Sequence, residues 1–256
     1  MKKRIIPSVL LNSGTNVSLS RKFEPWRTVG TLLQQLRLHV SRECDELLII
    51  NLNSCSSDDF SLPHRILSLV RREVNVPISY VGGIKDAVSA SECINAGFDK
   101  VFVTSAYFDD PSCINEITSV IGVQSLGVCL PYSRDTNSSS AFLWDFRTRT
   151  SLQYSLLEHI AYLDHIGVGE ILLYNVDQDG SMQGMDERLL DELQTLSLNT
   201  PVLLSGGAGT PTHVENVLSS NLVQGVVASS IFSLTEHTPF TLRSQCISSG
   251  IPMRIP

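Results

Sequence analysis

The sequence predicts an α/β fold in which eight parallel strands close into a (β/α)8 barrel. Two observations support this: β-rich runs alternate with helical segments along the chain, and the second half of the sequence repeats the pattern of the first. The length of 256 residues suits such a barrel, which typically needs about 250 residues. An open, doubly wound sheet is the alternative that the alternation by itself leaves open.

Eight apolar runs predict the strands, and helical segments lie between most of them. Strands are expected at residues 4–11, 47–52, 78–80, 101–104, 125–130, 171–176, 202–205 and 225–228. Helices are expected at residues 32–40, 62–72, 87–96, 156–165, 187–196 and 211–218. One segment interrupts the alternation: residues 132–151 are polar, then aromatic, then basic, and predict an inserted β-hairpin with its tip at residues 137–140.

An internal repeat favours the closed barrel. At an offset of 124 residues, PISYVGGI matches PVLLSGGA, DKVFVTSAYF matches VQGVVASSIF, and DELLIINLN matches GEILLYNVD. Because three separate blocks share one offset, two (β/α)4 half-barrels are expected, over about residues 1–123 and 124–256. We therefore predict one barrel domain built from two halves.

Composition and charge exclude several classes of function. Hydrophobic residues make up 42% of the chain and charged residues 18%, which predicts a packed core. The net charge of −7 argues against a nucleic-acid partner. No apolar run approaches the roughly 20 residues of a membrane span, so a cytoplasmic protein is expected. Six scattered cysteines and six histidines lack metal-ligand spacing, so reduced, mostly buried thiols and no metal or cofactor are predicted.

Glycine and hydroxyl residues end four of the predicted strands. The third and seventh strands end in Gly-Gly pairs, and the fourth and eighth end in hydroxyl pairs: Gly82, Gly83, Gly206, Gly207, Thr104, Ser105, Ser229 and Ser230. Barrel ligands bind at the strand C-termini, and glycine lets backbone N–H groups approach an anion. We therefore expect two phosphate sites, related by the repeat, for a phosphorylated small molecule. Purely structural turns are the alternative.

Two carboxylates follow the sixth strand in the segment NVDQDGS. Asp177 and Asp179 are candidate catalytic residues that would face the ligand, and Gly180 would add a backbone donor to the phosphate site. An Asx-type turn is the alternative interpretation of the same residues.

Charged residues stand at the start of four predicted strands, at the opposite end of the barrel. These are Arg4, Glu46, Lys100 and Glu170, two cations and two anions. Their side chains can converge on the barrel axis, where they would form either an ordinary salt-bridge cluster or a gate to an axial tunnel.

Eight motifs, in order over nearly the whole chain, resemble the family of the cyclase subunit (HisF) of imidazole glycerol phosphate synthase. They are KRIIP, DELLI, GGI, AGFDKV, GVGEILL, DQDGSMQGMD, LSGGAG and ASSIF. The resemblance implies a duplicated barrel that binds a substrate with two phosphates and docks a glutaminase (HisH) beneath its floor. It also implies that Arg4, Glu46, Lys100 and Glu170 gate the entry of ammonia, and that Asp99 faces the glutaminase.

The sequence departs from this family at the catalytic end. The two family aspartates, which end the first and fifth strands, are replaced by Leu10 and Pro131, and neither side chain exchanges a proton. The family's GGG turn is reduced to Val81-Gly82-Gly83, and its loop lysine falls near Ser18. General acid–base catalysis typically contributes about 10²–10⁴-fold per group, so cyclase activity is expected to be nearly lost.

These differences favour one subgroup of the family that the sequence resembles. Leu10 and the segment KFEP...VG (residues 22–30) are similar to the HisF-like paralogues of bacterial surface-polysaccharide pathways. We therefore expect a subunit that partners a HisH-like glutaminase and conducts ammonia to an amidotransferase acting on a sugar. A functional cyclase subunit in histidine biosynthesis, using Asp177 or Asp179, is the first alternative. A scaffold that conducts no ammonia is the second.

Overall fold

The computed structural model describes residues 2–12, 15–52, 74–135 and 140–255. The expected helix at residues 62–72 lies outside these ranges, as do Cys55 and residues 137–139 of the expected hairpin tip at 137–140.

Strands and helices alternate along the described chain. The strands are β1 (Arg4–Leu11), β2 (Asn16–Arg21), β3 (Glu24–Thr31), β4 (Leu47–Asn51), β5 (Ile78–Val81), β6 (Lys100–Val103), β7 (Leu126–Arg134), β8 (Ala141–Asp145), β9 (Thr150–Ser155), β10 (Glu170–Asn175), β11 (Val202–Ser205) and β12 (Val223–Ala228). The helices are α1 (Leu32–Ser41), α2 (Ala87–Ala96), α3 (Ser105–Asp109), α4 (Cys113–Ile121), α5 (Leu156–Ile166), α6 (Arg188–Leu193), α7 (Pro211–Leu218), α8 (Ser230–Leu234) and α9 (Pro239–Ser248). None of these helices is long and apolar enough to cross a lipid bilayer.

Eight parallel strands close into a barrel, which confirms the predicted (β/α)8, or TIM-barrel, fold. They pair in the order β10, β11, β12, β1, β4, β5, β6 and β7, and β7 pairs with β10 to complete the ring. The open sheet is excluded, because the first and last strands of that order are hydrogen-bonded to each other.

Two layers of apolar side chains explain why the barrel strands lack polar alternation. One cluster fills the barrel: Ile6, Leu10, Leu48, Ile50, Val81, Phe102, Cys129, Leu172, Tyr174, Val176, Leu203 and Val227. A larger cluster lies between the strands and the surrounding helices. Strands covered on both faces are apolar on both faces, as parallel sheets require. Gly127 accommodates the Phe102 ring inside the barrel, because a Cβ at residue 127 would lie 2.3 Å from that ring.

Two hairpins extend from the barrel, and the sequence predicted only the second. β2 and β3 pair antiparallel after β1, while β8 pairs antiparallel with the end of β7 and with β9. Shifting β2 and β3 by 124 residues gives residues 140–145 and 148–155, which overlap β8 and β9. The same shift carries β5 onto β11. The expectation that one segment interrupts the alternation was wrong, because an equivalent hairpin follows the first strand of each half.

A buried histidine on α1 predicts a pH-dependent stability. His39 is 3% exposed, its ring contacts Phe232, and its Nδ1 has no hydrogen-bond partner among the described residues. Burial, with a smaller contribution from Arg42, lowers its pKa from 6.5 to about 4. The folded state therefore holds the neutral ring, and the unfolded chain takes up a proton first as the pH falls.

Above pH 6.5, the pKa of His39 in the unfolded chain, we expect this residue to have no effect on the pH dependence of the free energy of unfolding. As the pH falls from there toward 4, the pKa in the folded protein, the free energy of unfolding should decrease. The loss between pH 7.5 and pH 5 should be about 2 kcal/mol. Urea unfolding at the two pH values measures it. His39→Leu should remove most of this difference, and an unchanged pH dependence in that variant would contradict the assignment.

Candidate functional site

Four charged side chains meet at the N-terminal ends of the barrel strands, here called the floor. Arg4 Nη1 lies 2.9 Å from Glu46 Oε2, and the Arg4 Nη2 contacts Glu170 Oε1. Lys100 Nζ lies 2.9 Å from Glu170 Oε2. Ser79 Oγ donates to the remaining oxygen of Glu46 at 3.0 Å. The four residues singled out in the sequence therefore form one continuous chain of ion pairs, in which formal charges cancel.

The floor network is largely withdrawn from solvent. Side-chain exposure is 1% for Glu170, 13% for Arg4 and 17% for Lys100. Burial disfavours the charge of Arg4, but Glu170 and Glu46 outweigh it and raise the pKa of the guanidinium. Each charge depends on its partner, since an unpaired charge at this depth would be strongly unfavourable.

Asp99 lies beside this network at the protein surface. Its side chain is exposed, and its Oδ2 accepts a hydrogen bond of 2.9 Å from the backbone N–H of Ile78, at the start of β5. The residue thus anchors a strand end and also presents a carboxylate next to the floor.

Leu10 and Pro131, which are expected to replace the family aspartates, lie toward the opposite end of the barrel, here called the mouth. Leu10 belongs to the cluster that fills the barrel and is 1% exposed. Pro131 lines a cavity at the mouth. Beside it, burial raises the pKa of the Cys129 thiol to about 12, so this group stays protonated at neutral pH.

Asp179 anchors the first hairpin. Its Oδ2 accepts from Ser20 Oγ at 2.8 Å and from the backbone N–H of Phe23 at 3.0 Å, and its Oδ1 accepts from Tyr174 Oη at 2.7 Å. Burial raises the pKa of this carboxyl, and the three hydrogen bonds oppose that shift. Burial and the neighbouring Asp179 also raise the pKa of Tyr174 well above its ordinary value.

Asp177 is engaged by other protein groups. Its Oδ2 accepts from the backbone N–H of Arg134 at 2.9 Å, and its Oδ1 lies 3.7 Å from Lys22 Nζ. Asn175 caps the turn that carries both aspartates, because its Oδ1 accepts from the backbone N–H of Asp177 and of Gln178. The Asx-type turn is therefore present, but it begins at Asn175, the last residue of β10 and two residues before Asp177.

The turn between β2 and β3 is strained. Lys22 and Phe23 have φ angles of 52° and 63°, and a bulky residue rarely adopts such a conformation. The Phe23 ring stacks on Tyr174 at a centroid distance of 4.4 Å and approaches Phe146 of the second hairpin at 5.8 Å. Arg149 pairs with Glu24 between the same two hairpin turns. Together the two turns form an arch over the mouth.

A cavity of about 950 Å³ lies beneath the arch, at the C-terminal ends of β4 to β7. Aromatic side chains in its wall come from Phe23, Phe102, Phe146 and Tyr174. Charged side chains in its described wall comprise four cations and four carboxylates: Lys22, Lys85, Arg147, Arg149, Glu24, Asp109, Asp110 and Glu116. Arg147 binds Asp109 through two hydrogen bonds of 2.8 and 2.9 Å, so the second hairpin is also tied to α3.

Of the two expected phosphate sites, the first lines the cavity and the second does not. The cavity wall contains Gly82, Gly83, Thr104 and Ser105, and no residue of the second set. In that second set, Gly206 and Gly207 lie between β11 and α7, and half-buried Ser229 and Ser230 lie at the start of α8.

Gly180 and Gly207 make close backbone contacts, the first with the hairpin after β1 and the second with the loop before α6. A Cβ at residue 180 would lie 2.2 Å from the carbonyl oxygen of Ser20, and one at residue 207 would lie 1.8 Å from that of Gly184. Chain packing therefore requires glycine at both positions. This agrees with the alternative interpretation of these turns as purely structural. Among the described residues, no three His, Cys, Asp or Glu side chains could together hold a metal ion.

Sequence reasoning missed the residues of the arch. Phe146, Arg147 and Arg149 belong to no motif, and Phe23 belongs to the segment KFEP...VG, which gives no indication of its contacts. Contacts between segments more than 100 residues apart bring these residues together. The repeat could have indicated the first hairpin. Its offset of 124 residues places residues 16–31 on residues 140–155, which overlap the hairpin that was predicted.

Comparisons with known proteins identify the family. Residues 4–238 match the family model described as histidine biosynthesis protein. The imidazole glycerol phosphate synthase subunit HisF of Dehalococcoides mccartyi is 29% identical over 255 residues, which cover 100% of this chain and 99% of that protein. Subunits of the same name from Chloroherpeton thalassium and Chlorobaculum parvum are also 29% identical over 255 residues, with 100% of both chains covered. The chain therefore belongs to the histidine biosynthesis protein family, as a HisF-like (β/α)8 barrel.

Proposed function

We propose that this chain is the ammonia-conducting subunit of a glutamine amidotransferase complex. A HisH-type glutaminase would dock at the floor, and ammonia would pass the gate of Arg4, Glu46, Lys100 and Glu170 into the barrel. The observation that carries the proposal is the contrast between the two ends. The floor has a continuous, largely buried network of ion pairs, while Leu10 and Pro131, which we assign to the positions of the family aspartates, cannot transfer a proton.

The apolar filling of the barrel supports the conduction of ammonia and not of ammonium. Transfer of a charged group into such an interior is very unfavourable, whereas a small neutral molecule loses only its hydrogen bonds to water. The side chains in contact with the axis, such as Leu172 and Leu203, are buried and apolar. Passage then requires Arg4 or Lys100 to move, because their paired heads lie at the start of the path.

The loss of proton-transferring groups supports a role other than cyclisation. Ring closure and cleavage require a general acid and a general base at the reacting atoms. Asp177 and Asp179 would have to replace the family aspartates, but each is held by the hydrogen bonds and ion pair described above. We propose that the ammonia instead serves a separate amidotransferase that acts on a sugar in surface-polysaccharide biosynthesis.

Gly82, Gly83, Thr104 and Ser105 remain the proposed phosphate-binding residues of the cavity. The second set, Gly180, Gly206, Gly207, Ser229 and Ser230, is proposed with less support, because it lies outside the cavity wall. Asp99 is proposed as a contact to the glutaminase, since it is exposed beside the floor.

A cyclase subunit of histidine biosynthesis is the second candidate. The relatives favour it, because imidazole glycerol phosphate synthase subunits align with the whole chain. It requires Asp179 to leave its three hydrogen bonds, or Asp177 to leave Arg134, before either could transfer a proton.

One pair of assays separates the candidates. We expect the purified chain to raise the rate of glutamine hydrolysis by a HisH-type glutaminase from the same genome at least tenfold. We also expect no turnover of the synthase's bisphosphate substrate with ammonium salt as the nitrogen source. Turnover in the second assay would reject the proposed function in favour of the cyclase, and an unchanged rate in the first would favour a scaffold.

A charge reversal tests the docking face in the same assay. Asp99→Arg is expected to weaken activation of the glutaminase by about tenfold, because a charge at the contact changes sign. Glu158→Arg, an exposed acid in the first turn of α5 at the mouth end, is the matched control and should activate normally. Equal behaviour of the two variants would argue against docking beside Asp99.

A further inference from the structure

We propose that the cavity beneath the arch binds a sugar that carries at most one phosphate, and that it discriminates against a bisphosphate. This inference rests on the proposed function, in which the mouth has lost the chemistry that acts on a bisphosphate. It assigns a ligand class to the cavity from the charge balance, the aromatic rings and the hydrogen-bonding groups of its wall.

The charge of the described wall is balanced. Its four cations and four carboxylates sum to zero, so this described part of the wall offers no excess of positive charge. Each phosphate monoester carries a charge of about −1.5 to −2 at pH 7, and a bisphosphate would therefore bring about −3 to −4. Such a ligand would meet carboxylates that it cannot neutralise, whereas a neutral or singly phosphorylated sugar would not.

Most cations of this wall already have carboxylate partners, including Lys22, whose Nζ lies 3.7 Å from Asp177 Oδ1. Arg147 binds Asp109 with both terminal nitrogens, and Arg149 pairs with Glu24. A phosphate could use these arginines only in competition with those carboxylates. The N-terminus of α2, which follows Gly83, offers few free backbone N–H groups to a phosphate. Asp86 caps this helix, and its Oδ1 accepts from the backbone N–H of Ser89 at 2.8 Å.

The carboxylates suit a ligand rich in hydroxyl groups. Glu116 is exposed in the first turn of α4 and can accept hydrogen bonds from the cavity side. Asp110, before α4, already accepts from Ser112 with both oxygens, at 2.9 and 2.8 Å, and adds negative charge to the wall. A sugar hydroxyl donates such a bond, whereas an ionised phosphate cannot and is repelled. Specificity against a competing ligand commonly comes from such a repulsive element.

Aromatic rings supply the apolar part of the site. Phe23 and Phe146 cover the cavity from the two hairpins, and Tyr174 supports Phe23 from inside the barrel. The C–H faces of a sugar ring pack well against such rings. One phosphate can still be placed at Gly82 and Gly83, whose φ angles of 126° and 74° belong to an irregular turn, with Lys85 beside it.

Isothermal titration calorimetry on the purified chain tests the proposal. The probes are glucose, N-acetylglucosamine, fructose and ribose, their monophosphates, and fructose 1,6-bisphosphate and ribose 1,5-bisphosphate. We expect at least one sugar or sugar monophosphate to bind, and its matched bisphosphate to bind at least tenfold more weakly. Tighter binding of the bisphosphates, or no binding of any sugar or monophosphate, would overturn the proposal.

Variants locate the bound sugar. Phe146→Ala should weaken binding at least fivefold, while Tyr162→Ser, at an exposed aromatic on α5, should leave it unchanged. Glu116→Gln should improve bisphosphate binding about threefold by removing one repulsive charge. Equal affinity in the Phe146 and Tyr162 variants would place the sugar elsewhere. Glutaminase activation is measured separately at the floor, so its failure would count against the proposed function and leave the sugar result standing.

Discussion

Replacing Glu170 with alanine is expected to lower the free energy of unfolding by about 3 kcal/mol, the low end of the range for breaking a buried ion pair. The carboxylate is 1% exposed and contacts both Arg4 and Lys100, so its removal leaves two cations partly uncompensated at the floor. The low end applies because those cations retain some exposure to water. Urea unfolding at pH 7 measures the change.

Two further variants distinguish charge from packing. Glu24→Ala removes an ion pair that is more than half exposed, and its effect should stay within about 1 kcal/mol. The double variant Glu170→Met with Lys100→Met should recover at least half of the loss, because it removes the uncompensated charge together with its partner. A loss below about 1 kcal/mol in Glu170→Ala would mean that water solvates the floor freely.

Replacing Asp179 with alanine is expected to lower the free energy of unfolding by about 2–4 kcal/mol, since each buried group left without a partner costs about 1–3 kcal/mol. The variant deprives Ser20, Phe23 and Tyr174 of their acceptor at once. The strained turn at Lys22 and Phe23 should then relax, so the first hairpin should lose protection against amide hydrogen exchange before the barrel strands do.

Asp179→Asn is the matched control. An amide can keep acceptor contacts without the cost of a buried charge, so its stability should remain within about 1 kcal/mol of the natural chain. Burial raises the folded pKa of Asp179 above the unfolded value of 3.8. The protonated carboxyl therefore stabilises the folded state fully at pH values below 3.8. This stabilisation is lost as the pH rises through the pKa of Asp179 in the folded protein. Asp179→Asn should gain relative stability as the pH rises from 4 to 7, and equal pH profiles would contradict this.

The fold was predictable because it depends on short-range patterns that repeat. Each barrel strand is a short apolar run between turn residues, and β11 lies where the sequence predicted it, at Val202–Ser205. The first hairpin was not predicted, because β3 is mostly exposed and carries no apolar alternation to mark a strand. Its alignment with β9 becomes visible only when the repeat is extended into segments that share little sequence.

The contacts at the floor could be predicted from the sequence, whereas those at the mouth could not. Arg4, Glu46, Lys100 and Glu170 each occupy the start of a strand, and closure of a barrel brings strand starts together, so their meeting follows from the fold. Asp179 follows β10 in a turn, as expected, but its partner is a hairpin some 160 residues earlier in the chain. No local pattern encodes that contact.

The sequence by itself determined the barrel, the repeat at an offset of 124 residues and the family to which the chain belongs, because residue type and spacing carry that information directly. Only the tertiary structure decided that Asp177 and Asp179 are held by protein groups, and that two hairpins roof a cavity with balanced charge. The physical reason is that hydrogen bonding, burial and net charge at a site depend on which distant segments meet there. Residue identity fixes what a side chain can do, and its neighbours decide whether it is available to do it.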